Sequence, residues 1–319
     1  MSRVAVLKGG KSLERQVSLR SGARVEDALA SLGHEVVPID ADADLVRSLK
    51  DERPDVAFIA LHGPGGEDGT PQELLEILGI PYTGPGVASC IRCMDKVLSK
   101  HLLRAAGIPT PDWVAFNATA FRELGAADAL EQIEARLGFP LVVKPAAQGS
   151  ALGVRFAASR DDVPEALVAA FSYDDRVLLE RHVAGRELAV SLLDGEALPI
   201  VEVRAKEEDR FNYEARYEIG RTEYICPADL PQDVSASVRE VASRAYETLG
   251  CAGFSRVDLM LGEVLQPEVL EANAIPGLTD TSLLPMAAHS AGLEFEDLVA
   301  RIIELALEGD GRLARQRCA

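Results

Sequence analysis

Short apolar runs alternate with amphipathic segments through the N-terminal part of the chain, and this restricts it to a mostly parallel sheet covered by helices. Arg3 to Leu7 reads as a short buried strand. After Gly9-Gly10, the residues Val25, Ala28, Leu29 and Leu32 share one helical face, and Gly33 ends that helix. Glu35 to Ile39 is strand-like, Asp44 opens a short helix, and Val56 to Leu61 is the next apolar run. A loop, His62-Gly-Pro-Gly-Gly-Glu-Asp-Gly69, follows. Thr70 as N-cap, Pro71 in the first turn and Glu73 at N3 then spell a capping box ahead of a helix over Gln72 to Leu78, closed by Gly79.

The Pro/Gly-rich stretch Pro81 to Gly86 is a natural joint, and a boundary is expected near residue 90. Asp95 to Ala106 reads as one helix ending at Gly107. Trp113 to Phe116, Leu141 to Lys144, Val154 to Ala157 and Val177 to Glu180 read as strands, with helices near 119–137 and 163–171, which makes a small α+β unit. Hairpins follow: Leu188 to Leu193, an Asp194-Gly195 turn, then Leu198 to Val203. A helix over Val234 to Leu249 precedes strands Ser255 to Leu261 and Val269 to Asn273. Between Arg204 and Ala228 the chain is charged, carries Tyr213, Tyr217 and Tyr224, and lacks an apolar period; a loop of that length is expected to be a lid rather than a solvated insertion.

Charge narrows the partners. The 319 residues hold 33 Lys plus Arg against 51 Asp plus Glu, a net charge of −18 that repels phosphate backbones and acidic lipid surfaces. Nucleic acid and membrane are therefore not expected partners. Val4 to Leu7 is too short for a signal-peptide core, so a cytoplasmic location is expected. The cysteines Cys90, Cys93, Cys226, Cys251 and Cys318 are an odd, scattered set expected to be reduced, and the lone C-x-x-C at Cys90 and Cys93 is expected to pack rather than bind metal.

Arg256, Asp258, Glu271 and Asn273 are the most informative residues. Each pair is two apart on its strand and so projects from a single face; if the two strands adjoin, four polar groups converge. Asp, Glu and Asn oxygens without His or Cys suit hard Mg²⁺, above all when phosphate oxygens complete its shell. The glycine-rich segments say less alone. Gly9-Gly10-Lys11-Ser12 cannot be a P-loop, because Ala5 stands where that motif needs glycine, and it lacks the spacing of a dinucleotide fingerprint. Gln148-Gly149-Ser150-Ala151-Leu152-Gly153 forms a flexible turn whose backbone N–H groups can cradle phosphate, or a plain hairpin turn.

Taken together, Gly9 to Leu19, Leu61 to Thr70, Met94-Asp-Lys96, Phe211 to Tyr217, Arg256-Val-Asp258 and Leu270 to Gly277 resemble the D-alanine:D-alanine ligases of the ATP-grasp superfamily, in the family's order from about Val4 to Leu307. The resemblance implies an ATP-grasp fold, α/β with α+β character in the ATP-binding part. Its expected units are an N-terminal open parallel-sheet domain (1–90), a small central α+β domain (91–183) and a C-terminal mixed-sheet domain (184–319) with the lid loop 204–228. It implies phosphorylation of one D-alanine carboxylate by ATP and displacement of phosphate by the amine of a second D-alanine, for peptidoglycan precursors, in a homodimer. Asp258, Glu271 and Asn273 match ligands of two Mg²⁺ (or Mn²⁺) ions; Lys96 and Lys144 match lysines on the phosphates; Glu180 and Glu187 match carboxylates facing adenine and ribose. Gly149, Ser150, Arg181, Val183 and Arg216 complete the implied ATP site. Glu14 matches the partner of the first substrate's ammonium, with His62 nearby. Arg256 and the Gly277 N–H match an oxyanion-holding pair, Ser282 and the Leu283 N–H match the second substrate's carboxylate site, and Glu14, Ser150 and Tyr217 match a hydrogen-bonded trio that fastens the lid.

Three positions depart from the family: Arg216 stands for a frequent lysine, and Gln148 and Ala151 replace frequent Glu and Ser. Two rivals are a ligase using D-lactate or D-serine as second substrate, against which Tyr217 argues, and a non-catalytic nucleotide-binding regulator, against which the metal ligands and Arg256 argue.

Overall fold

The computed structural model describes residues 1–205 and 222–317. The N-terminal alternation folds as expected: β1 (Arg3–Lys8), α1 (Arg15–Ser31), β2 (Glu35–Asp40), α2 (Leu45–Glu52) and β3 (Val56–Ile59) give a parallel sheet in the order β2-β1-β3. Strand β3 is buried along its whole length, which is why it reads as an unbroken apolar run rather than an alternating one. Helices α3 (Thr70–Leu78), α4 (Val87–Met94) and α5 (Lys96–Ala105) lead out of this sheet.

One sequence expectation fails here for a local reason. The capping box at Thr70 is not made: the helix starts at Thr70 itself after Gly69, whose φ is 100°, and the Thr70 N–H donates to Asp68 Oδ1 at 3.0 Å. The helix expected from about Asp95 to Ala106 forms as α5, directly after α4. Asp95 is extended and accepts the N–H groups of Val97 and Leu98, both at 2.9 Å, so it ends one helix and caps the next.

The central unit comprises β4 (Trp113–Asn117), α6 (Ala118–Arg122), α7 (Leu130–Leu137), β5 (Leu141–Pro145), β6 (Arg155–Ala157), α8 (Val163–Phe171) and β7 (Arg176–Arg181), with the antiparallel order β4-β7-β5-β6. The helix expected near 119–137 is interrupted by Gly125 at φ 71° and a 3-10 turn over Ala126–Ala129. This sheet has its own core, built from Leu141, Val143, Val177, Leu179, Ala166 and Leu167.

The third sheet contains β8 (Gly185–Leu193), β9 (Glu196–Ala197), β10 (Val201–Ala205) and β11 (Thr222–Ile225), then, after α9 (Gln232–Leu249), β12 (Phe254–Gly262) and β13 (Pro267–Asn273); α10 (Leu283–Ser290) and α11 (Phe295–Arg317) close the chain. Its order is β11-β10-β8-β12-β13, with β9 pairing β8. The Asp194-Gly195 turn forms with both φ values positive, 54° and 81°. The return strand expected over Leu198 to Val203 is broken, because Pro199 has no N–H to give a ladder and pairing resumes only at Val201.

Cys90, Cys93 and Cys251 are buried free thiols, with Cys93 Sγ 3.6 Å from Cys251 Sγ, and burial holds the Cys90 thiol above its ordinary value. Among the described residues no helix is long and apolar enough to cross a membrane. The first and third sheets share one continuous core, in which the fully buried Phe58 of β3 sits 6.5 Å, ring to ring, from Phe254 of β12. Phe58→Ala should therefore cost about 3–5 kcal/mol of stability, read as a lower midpoint in chemical denaturation.

Candidate active site

A cavity of about 680 Å³ lies between the central and third sheets, and the strands facing it supply most of the residues singled out from sequence. Lys96, Lys144, Glu180, Arg181, Val183, Glu187, Asp258 and Glu271 all line it. Its floor is β12 and β13, which pair antiparallel with Arg256 opposite Asn273 and Asp258 opposite Glu271. The two polar pairs thus adjoin. A bulge after Asp258 shifts the register, so Leu270 and Glu271 both turn toward the cavity.

The four groups are already connected. Arg256 donates to both oxygens of Asp258, from Nε at 2.7 Å and Nη2 at 2.8 Å, and Asn273 Nδ2 donates to Asp258 Oδ2 at 2.9 Å. Glu271 Oε2 lies 3.1 Å from Lys96 Nζ, which also donates to the carbonyl of Gln148 at 2.7 Å. Burial pushes the Glu271 carboxyl up, but Lys96, Lys144 and Arg256 outweigh it and hold the group at about 2. Among the described residues no group of three or more His, Cys, Asp and Glu gathers that could hold a metal unaided. Two carboxylates and an amide fit Mg²⁺, which keeps few protein ligands and takes phosphate or water oxygens for the rest.

Deeper in the wall, Glu180 is 1% exposed and forms ion pairs with Lys144 and with Lys100, the latter at 2.6 Å. Burial alone would raise its carboxyl; the two ammonium groups lower it. Lys100 is fully buried, its remaining acceptors being Thr110 Oγ1 at 2.5 Å and the Pro111 carbonyl at 3.1 Å, and burial depresses its ammonium to about 8. Sequence reading missed Lys100. The available signal was its place on the inward face of α5 beside Val97, Ser99 and Leu103. It also missed Glu202 on the cavity wall, 3% exposed and clasped by Arg186 at 3.0 and 2.7 Å. Arg181, by contrast, points to Glu268 at 2.6 Å.

Beyond Lys96 the glycine-rich loop meets the N-terminal unit. Ser150 donates to Glu14 Oε1, and among the described residues Glu14 Oε2 is buried without a hydrogen-bond partner. Burial first, and then Glu67, raise the Glu14 carboxyl above its usual range, against Ser150, His62 and Lys96. The carboxylate fits so closely that a Cβ on Gly149 would stand 2.6 Å, and one on Gly63 2.4 Å, from Oε2. His62 is buried, with Nε2 3.0 Å from Ser21 Oγ. Ser282 Oγ accepts the Thr279 N–H at 3.0 Å directly before Leu283 opens α10, and a Cβ on Gly277 would come within 2.7 Å of that hydroxyl. Arg216 and Tyr217, with positions 206–221 of the expected lid, lie outside the described residues.

Sequence models of the D-ala D-ala ligase C-terminus and N-terminus match residues 102–304 and 44–85. The D-alanine--D-alanine ligase of Moorella thermoacetica is 42% identical over 313 residues, covering 96% of this chain and 99% of that protein. That of Desulforudis audaxviator is 44% identical over 310 residues, covering 96% and 99%. Among solved structures, the D-alanine--D-alanine ligase of Bacillus anthracis complexed with ATP superposes with a TM-score of 0.84 at 36% identity, covering 98% of this chain and 99% of that one. The VanG D-Ala:D-Ser ligase of Enterococcus faecalis gives 0.81 at 26% identity, covering 95% and 99%.

Two measurements check these electrostatics. Glu271 is held below its ordinary carboxyl value, so it contributes stability that is present above about pH 4.5 and is lost as pH falls toward about 2; Glu271→Gln should flatten the fall of stability across that acid window in denaturation titrations. Lys100→Met leaves Glu180 short of one cation and should destabilise by about 3–5 kcal/mol, with Lys100→Met/Glu180→Gln recovering much of the loss in the same assay.

Proposed function

The chain belongs to the D-alanine–D-alanine ligase family, and from that premise we propose how its own residues carry the reaction. It is an ATP-dependent ligase that joins two D-alanine molecules into D-alanyl-D-alanine for peptidoglycan synthesis, through a D-alanyl phosphate, with release of ADP and phosphate. One observation carries the assignment of roles: the polar end of the cavity runs without a break from Glu271 through Lys96 to the Gln148–Ser150 loop and on to Glu14. A nucleotide's terminal phosphate and an amino acid held by its ammonium therefore meet at one point.

In the proposed mechanism ATP occupies the cavity between the sheets, with Glu180, Arg181, Val183 and Glu187 at its base and sugar and Lys96 and Lys144 at its phosphates, joined there by Gly149 and Ser150 of the adjoining glycine-rich loop. Asp258, Glu271 and Asn273 would hold Mg²⁺, which supplies charge neutralisation at the phosphates. The orphaned Glu14 Oε2 takes the first D-alanine's ammonium, which aims its carboxylate oxygen at the γ-phosphorus. A new P–O bond forms and ADP leaves. The amine of the second D-alanine, its carboxylate held by Ser282 and the Leu283 N–H, then attacks the acyl carbon, while Arg256 and the Gly277 N–H hold the developing oxyanion. Loss of one such donor typically costs about 10²- to 10³-fold in rate. The C–O bond to phosphate breaks and the amide remains. Catalysis here is positioning and charge neutralisation in a site closed to water, with the part of the expected lid 204–228 that lies between β10 and β11, Arg216 and Tyr217 included, acting as the lid. His62, whose Nδ1 lies 3.6 Å from Glu67, belongs to the first subsite. The division into units at residues 90 and 183, a homodimer and a cytoplasmic location belong to the same proposal, and sedimentation tests the dimer.

D-alanine rather than D-serine is the second substrate, because full-length relatives named D-alanine--D-alanine ligase share 42 and 44% identity against 26% for the D-Ala:D-Ser ligase. With ATP, Mg²⁺ and D-alanine the expected product by mass spectrometry is D-alanyl-D-alanine; a product found only when D-lactate or D-serine is added would overturn this reading. Glu271→Gln should abolish turnover, since an amide oxygen carries no net charge toward two cations, and near-normal phosphate release at saturating Mg²⁺ would remove Glu271 from the metal site.

A further inference from the structure

Helix α1 reaches across the molecule to the loop that follows β13. Ser21 and Arg24 are three residues apart and so share one face of the helix. Both engage the backbone of Leu278, more than 250 residues away: Ser21 Oγ accepts the Leu278 N–H at 3.2 Å, and Arg24 Nη1 donates to the Leu278 carbonyl at 3.1 Å. Arg24 is braced in turn by Asp280 Oδ1 at 2.9 Å from its Nε and by the Phe295 ring 3.8 Å beneath its guanidinium. The next amide, Thr279 N–H, donates to Ser282 Oγ at 3.0 Å. The peptide planes on both sides of Leu278 are thus pinned, one by Ser21 and the other by Arg24 and Ser282. Leu278 itself is fully buried.

We infer that Ser21 and Arg24 are positioning residues that set the acceptor subsite, fixing the loop from Leu278 to Ser282 that receives the second D-alanine. The inference rests on the roles proposed above for Ser282 and Leu283. Helix α1 begins directly after Glu14, so one rigid element sets both subsites: Glu14 at its start for the first amino acid, and Ser21 and Arg24 along its length for the second. Neither side chain touches the reacting atoms. Their effect is to keep the attacking amine in line with the acyl carbon, where small displacements are costly.

The test separates the two half-reactions. Hydroxylamine attacks the acyl phosphate at carbon and expels phosphate, giving D-alanyl hydroxamate; at D-alanine concentrations that fill only the first subsite this reports activation without the acceptor subsite. Dipeptide formation at rising D-alanine reports the acceptor KM. For Ser21→Ala and Arg24→Met the acceptor KM should rise about 10-fold, consistent with loss of one neutral or charge-assisted hydrogen bond. Hydroxamate formation and the KM for ATP should stay within about two-fold, and Arg24→Lys should recover part of the acceptor KM. An unchanged acceptor KM in both variants overturns the inference. So does an equal loss of hydroxamate and dipeptide, which marks a general structural role. A parent enzyme that forms neither product brings down the ligase reading itself, and this inference with it.

Discussion

The antiparallel register of β12 and β13 is the constraint on which the site depends. Side chains alternate with period two along each strand, so a slip of one residue would send Arg256 and Asp258 into the core and draw Val257 and Leu259 out of it. Burial of Val257, Leu259, Leu261 and Val269 thus enforces the register, and the register delivers the polar groups to the cavity. The bulge after Asp258 adds what strict alternation cannot. With one extra residue, β13 presents Glu268 and Leu270 and then, in the shifted phase, Glu271 and Asn273 to the same side.

Around that floor the electrostatics are organised in pairs that leave binding capacity open. Glu180 is satisfied by two lysines, one of which, Lys144, faces the cavity while the other, Lys100, is sealed behind it. Lys100 also fastens the loop between α5 and β4 to the third sheet: Thr110, which accepts from it, donates to the Val269 carbonyl of β13 at 2.8 Å. A buried charge network of this kind yields less net stability than apolar packing would. What it provides here is geometry, since the central sheet has its own core and meets the third sheet across a cavity rather than a packed interface.

Across the glycine-rich loop from the cavity, Glu14 shows the reverse condition. Its carboxylate is buried against Gly63 and Gly149, pushed up by burial and by Glu67, and engaged on one oxygen only. The ammonium proposed to bind there would offset both the burial and the repulsion.

Much of this was legible in the sequence. The alternation of strands and helices set the parallel N-terminal sheet, the two-residue spacings of Arg256 with Asp258 and Glu271 with Asn273 set which faces they share, and the ordered motifs from Gly9 to Gly277 named the ligase family. These are local patterns, written in neighbouring residues. Where local signals competed, sequence reading went astray: Asp68 takes the Thr70 N–H that a capping box would have given to Glu73. Tertiary structure alone decided the bulge that turns Leu270 to the cavity, the use of Lys100 behind Glu180, and the hold of Ser21 and Arg24 on Leu278. The physical reason is distance along the chain. A lysine on a helix face, or a serine and an arginine three apart, carries no mark of a partner 80 or more residues away until packing brings the two together and burial obliges each polar group to find the other.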